Sequence, residues 1–240
     1  VIDWARLQNM CNEPTTDVPV LLAAAAEGSA HAWDGFWGHL VHQGTTCEAG
    51  VAALPALADL AGNDSAQAVA LQAIELAGAI TVSAIALNLM ADDRSELLTA
   101  LSQQADQRLS AKPDSYLLYF AAKAALDGLL ALSETALDFD DTCFPVPCPA
   151  CATEVDIVLG DYGQYSSIRD WDLGDDAPVP LRPADPEAMS GPQRDLYDIA
   201  VRDEQPRLAW GLRHLFGDAE CGVCSAVFPI GEARERSWRQ

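Results

Sequence analysis

The chain has 240 residues, half of them hydrophobic, and a formal net charge of −22 from 14 Lys and Arg against 36 Asp and Glu. That apolar share excludes a disordered acidic chain, and the charge argues against sequence-independent binding of DNA or RNA, which needs a cationic face. The length allows one large domain or two small ones, each able to bury a core.

Residues 1–137 read as helix after helix. Asp17 or Thr16 can cap a helix whose early Pro19 sits where its missing N–H costs nothing, and the helix stops near Gly28. A second helix is expected over residues 30–42, ending at Gly44, with Trp33, Phe36, Trp37 and Leu40 as a buried stripe. A third covers 48–61, where Pro55 should kink it. A fourth runs over 65–90, broken near Gly78, with Asn63, Asp64 and Ser65 as capping residues rather than a glycosylation acceptor. A fifth covers 93–111. A sixth follows Pro113 and Asp114, its apolar face running from Leu117 through Phe120, Ala124 and Gly128 to Leu132. Such helices joined by short loops predict a mainly α fold, a bundle or short solenoid.

Composition shifts at Asp138, which divides the chain into a helical domain, 1–137, and a C-terminal subdomain, 138–240. Residues 138–151 are acidic and Pro-rich. Residues 153–159 alternate like a short strand, and 165–192 read as an irregular linker. Helix returns at Pro192, restarts at Pro206 and stops at Gly217.

Cys148, Cys151, Cys221 and Cys224 form two Cys-x-x-Cys pairs. A two-residue spacer lets both thiolates of a pair face one metal from a tight turn, and two such turns complete a tetrahedral zinc site. Each pair precedes a plausible strand, 153–159 and 226–230, the layout of a zinc ribbon. The gap of 69 residues between Cys151 and Cys221 is far longer than the usual ~15–20. Ala152 and Ser225 stand where Gly would best tolerate the turn. A redox pair should follow a strand and open a helix, a context neither pair has. Four thiolates close the shell, so the expected cofactor is a structural Zn²⁺. Cys143 is an alternative ligand, and Cys11 and Cys47 read as small buried hydrophobes.

His39 and His42, three apart at a helix end, offer a second metal or acid–base site, although a His there also satisfies the last carbonyls. Isolated His31 and His214 carry less. The acidic clusters at 138–141 and 170–172 lack calcium-loop spacing and read as solvated surface. Trp4, Trp33, Trp37 and Trp210 read as core anchors. The N-terminus lacks the charged and apolar regions of a secretory leader. The longest apolar stretch, 77–90, falls short of the ~18 residues of a membrane span. With an odd seven cysteines, a reducing, cytoplasmic setting without membrane contact is expected.

Asp3-Trp4 with Leu7, Val18-Pro19 with Leu21-Leu22, Trp33-Asp34 with Trp37, His42-Gln43-Gly44 and residues 53–57 resemble a group of HEAT-repeat-like actinobacterial proteins of unassigned activity. The two cysteine pairs, residues 160–163 and residues 215–217 resemble the C-terminal extension of such proteins. The resemblance implies a HEAT-like helical domain with a small zinc-ribbon-like β element, acting as a protein-binding scaffold, with immunity proteins among the relatives. The expected function is therefore a non-enzymatic protein-interaction module with a structural zinc, an immunity-type inhibitor of a basic partner protein. The alternatives are an enzyme with a site around His39 and His42, and a zinc-ribbon nucleic-acid binder using Arg234, Arg236 and Arg239.

Overall fold

The computed structural model describes residues 2–62, 66–90, 95–133, 135–168 and 178–238. The caps expected at Asn63 to Ser65, the helix start at Asp93, the acidic cluster at 170–172 and the tail Arg239 lie outside the described residues. The chain divides into two compact units, Val1–Gly128 and Leu129–Gln240. Helices dominate, with three small antiparallel sheets among the described residues.

In the first unit, α1 (Val18–Ala26) and α2 (Ala30–His39) pack on each other. The Ser29 hydroxyl caps α2 by accepting from the Ala32 N–H. The helix expected to run to residue 42 ends at His39, and a hairpin of β1 (Val41–His42) and β2 (Thr45–Thr46) follows. The reason is local: Gln43 and Gly44 both take left-handed φ, 49° and 78°. Two such residues make the tight turn that suits a two-residue hairpin, and β-branched Val41, Thr45 and Thr46 favour strand. Trp33, Phe36 and Leu40 are buried as the stripe predicts, but Trp37 is 37% exposed. Trp33 is the one fully buried member of the four tryptophans read as anchors.

Beyond the hairpin come α3 (Glu48–Ala61), α4 (Gln67–Ala86), α5 (Ser95–Ser110) and α6 (Tyr116–Leu126). Hairpins α3–α4 and α5–α6 lie side by side, with α3 against α5 and α4 against α6. Pro55 sits on the exposed side of α3. Helix α4 is continuous through Gly78, where a break was expected. A Cβ there would lie 3.0 Å from the Ala122 Cα, so glycine permits the close crossing of α4 and α6. At 20 residues α4 exceeds the apolar stretch counted in sequence and is long and apolar enough to cross a membrane by length and composition. Its apolar side chains are spent instead on the core: Val69, Ala73, Ile74, Leu76, Ala77 and Ile80 are buried. A helix apolar all round, packed on both sides, is what a central core position requires.

The second unit begins nine residues before the composition shift. Gly128, at φ 85°, ends the α6 segment, and α7 (Leu130–Ser133) packs on α10 (Ile230–Trp238) at the far end of the unit. Strands β3 (Asp141–Pro147), β4 (Glu154–Gly160), β5 (Gly163–Ser167) and β6 (Val179–Pro180) form one antiparallel sheet in that order. Strand β3 lies in the acidic, Pro-rich stretch 138–151, for which the sequence suggested no strand. It is an edge strand, so Pro145 and Pro147 cost few ladder bonds, while Thr142, Phe144 and Val146 alternate inward. Helices α8 (Gly191–Arg202) and α9 (Pro206–Leu215) follow as expected. Strands β7 (Asp218–Glu220) and β8 (Val227–Pro229) make a last hairpin. That hairpin is tied to the sheet. Ser166 Oγ donates to the Glu220 carbonyl at 2.9 Å, and the Arg182 and Asp218 backbones exchange hydrogen bonds of 2.9 Å.

Candidate metal centre

The two Cys-x-x-Cys pairs occupy matching turns. Cys148 to Cys151 sit between β3 and β4, and Cys221 to Cys224 between β7 and β8. In the first turn the Cys148 N–H donates to the Thr153 carbonyl at 2.8 Å and the Ala152 N–H to the Cys148 carbonyl at 2.9 Å. In the second, the Cys221 N–H donates to the Ala226 carbonyl and the Ser225 N–H to the Cys221 carbonyl, both at 2.9 Å. The residue after each second cysteine is left-handed, Ala152 at φ 60° and Ser225 at φ 59°. These are the two positions at which the sequence pattern asks for glycine. The sheet-to-hairpin ties through Ser166 and Arg182 place the turns face to face across the 69 intervening residues.

The four sulfurs lie within 4.8 Å of one another. Across the turns, Cys148 Sγ is 3.7 Å from Cys224 Sγ, and Cys151 Sγ is 3.8 Å from Cys221 Sγ. Zinc–sulfur bonds of about 2.3 Å in a tetrahedron set sulfur–sulfur edges of about 3.8 Å. A disulfide would need about 2.05 Å. The cluster therefore has the dimensions of a tetrathiolate metal site, a donor set that takes zinc or iron. The leading cysteine of each pair is buried and the trailing one exposed, so the site sits at a surface with its floor in the core.

Electrostatics separate the thiols. Thr153 contributes its hydroxyl, 3.3 Å from Cys151 Sγ, and its backbone N–H, and together they hold the Cys151 thiol down to about 6. At Cys224 the Ala226 N–H favours the thiolate. The hydrogen bond with Cys151 and the other nearby thiols outweigh it, pushing Cys224 up to about 12. Four thiolates this close repel, and a divalent cation at their centre removes the conflict.

Cys143, the alternative ligand, faces outward on β3 opposite Val158. Cys47 is buried as expected, whereas Cys11 is exposed rather than a buried hydrophobe. His39 ends α2 with Nε2 2.8 Å from Asp17 Oδ2, and His42 is exposed on β1, so the two stand on different elements. His31 is exposed, and His214 is buried with Nδ1 2.9 Å from the Trp210 carbonyl. Among the described residues the four cysteines are the one group placed to hold a metal. Sequence reasoning missed Thr153 as a thiolate partner, and no spacing rule would have singled it out.

One further polar cluster lies in the first unit. Lys123 Nζ donates to Ser102 Oγ at 2.7 Å and to Asp127 Oδ2 at 2.9 Å. Ser102 in turn donates to Asp127 Oδ1 at 2.6 Å. A Ser beside a Lys can be a nucleophile and its base. Here the hydroxyl proton goes to Asp127, and the three groups satisfy one another as a buried tie between α5 and α6.

No protein-family model, no curated protein and no solved structure matches the chain.

Proposed function

We propose that the chain is a non-enzymatic protein-interaction module whose C-terminal unit is held by one structural zinc ion, and that its partner is a basic protein. The tetrathiolate geometry carries the zinc part. Four protein ligands leave no open position for water or substrate, which favours structure over catalysis. One ion joining the β3–β4 and β7–β8 turns would hold together segments that are distant in sequence.

The partner is argued from charge. Residues 1–128 hold fifteen acidic against five basic side chains. Such a field steers a positively charged protein toward the helical unit and repels nucleic acid. The paired hairpins α3–α4 and α5–α6 support a solenoid-like scaffold, and the HEAT-like resemblance supports an immunity-type inhibitor within this class. His39 and His42 stand on different elements, with His39 engaged by Asp17, and this favours interaction over an enzyme built on that pair. Thiolates serving as ligands would favour a reducing, cytoplasmic setting.

The test is affinity purification from source lysate at about 0.05 M and about 0.5 M salt, which changes screening several-fold. A net-positive protein, captured directly at low salt and released at high salt, is expected. Recovery of no basic protein, or retention unchanged at high salt, would overturn the reading.

A further inference from the structure

The second unit holds a cavity of about 310 Å³ beside α10, at the small end of ligand pockets. Its apolar walls come from Leu132 of α7, Leu215 and Phe216 at the end of α9, and Gly231 at the start of α10. Its uncharged polar groups are Thr135 and Gln193 of α8, and its charged groups come from α10, two of them already engaged within the unit. Glu235 Oε1 accepts the Ala131 N–H at 2.8 Å, and Arg236 Nε donates to the Glu232 carbonyl at 3.4 Å. Arg234 differs. Its guanidinium lies over the Phe144 ring, 4.7 Å from the centroid, and its Nε is buried with no hydrogen-bond partner among the described residues.

A guanidinium always carries charge, and its planar fork matches a carboxylate. The cation–π contact with Phe144 holds the guanidinium in place. Arg236, the other guanidinium at the cavity, is exposed, so a ligand with an apolar body and a single anionic head would seat that head on Arg234. Glu232 and Glu235 line the same cavity and disfavour a dianion. We propose that this cavity binds a small apolar monocarboxylic acid of roughly eight carbons, with the carboxylate on Arg234 and the chain against Leu132, Leu215 and Phe216. This site is separate from the cysteine cluster and does not depend on the interaction reading.

The test is calorimetric titration of the zinc-loaded full chain with octanoate, octanol and octylamine, alongside backbone amide NMR. Octanoate is expected to bind and to shift the signals of Leu132, Leu215 and Phe216. Octanol should bind at least about tenfold more weakly, since it cannot form the charge-assisted pair, and octylamine should not bind. Arg234→Met should lower octanoate affinity by about tenfold or more. Gly231→Leu is the second variant. A Cβ there meets Leu215 O at 3.5 Å, ordinary contact, so the longer chain can enter the cavity and should abolish binding while the fold survives. No binding by octanoate, equal binding by octanol, or unchanged affinity in a folded Arg234→Met or Gly231→Leu variant would overturn the proposal.

Discussion

Asp127→Ala isolates the buried tie between α5 and α6. Lys123 is 7% exposed and its ammonium has two named acceptors, the Ser102 hydroxyl and the Asp127 carboxylate. The carboxylate is itself mostly shielded, with 18% of its side chain exposed. Removing it leaves a desolvated cation with one neutral partner, an uncompensated charge that costs about 3–5 kcal/mol. For a unit of this size that lowers the thermal midpoint by roughly 10–20 °C. The double variant Lys123→Met with Asp127→Leu should recover most of the loss, because an apolar pair of similar volume avoids the desolvation penalty. Far-ultraviolet circular dichroism melts, with and without a metal chelator, separate this transition from that of the metal-bearing unit. A loss below about 1 kcal/mol for Asp127→Ala would refute the buried-charge reasoning. So would a double variant no better than Asp127→Ala.

Three further outcomes follow from particular contacts. Ala152→Gly and Ser225→Gly should each slow metal loss to a chelator, because relieving about 1–2 kcal/mol of left-handed strain outweighs the added flexibility of glycine. Ala150→Gly, in the same turn, should give no gain. Gly211→Ala should destabilise the second unit by about 1–3 kcal/mol in urea unfolding, because a Cβ there would enter the ring of fully buried Phe139. Burial, together with the charge of Arg213 and against the hydrogen bond that Nδ1 donates to the Trp210 carbonyl, holds the His214 imidazole below its ordinary value. The unfolded chain therefore binds the extra proton as pH falls through about 6.5 and below. Stability is full above that point and declines beneath it, and His214→Gln should flatten this part of the profile when melts are compared with the parent chain.

The helices were legible because each carries a periodic apolar face and a terminating residue. Glu48–Ala61 stands where the reading placed it, and Pro206 and Gly217 bracket α9 as expected. The sequence misled where short-range signals compete. The Trp33 to Leu40 stripe continues plausibly into Val41 and His42, and only the pair Gln43-Gly44 marks the hairpin that interrupts it. In β3 the prolines concealed the inward alternation of Thr142, Phe144 and Val146, a signal that a strict period-two count would have found. Strand β8 lies within the expected 226–230, whereas the three-residue strand β7 is too short to carry any pattern. The four cysteines were legible because ligand spacing is a covalent constraint. That the two turns meet depends on Ser166 and Arg182, whose partners lie at Asp218 and Glu220 and cannot be read from local sequence. The cavity beside Arg234 depends on the packing of α7, α9 and α10, which no single segment encodes.

The most direct test of the proposed centre is elemental analysis of the full chain purified under reducing conditions, with Cys148→Ser and Cys221→Ser beside it. A closed tetrathiolate predicts one zinc per parent chain, no iron, and loss of the zinc together with the order of the second unit in both variants. Iron in place of zinc, or a metal-free parent chain with the second unit intact, would contradict it.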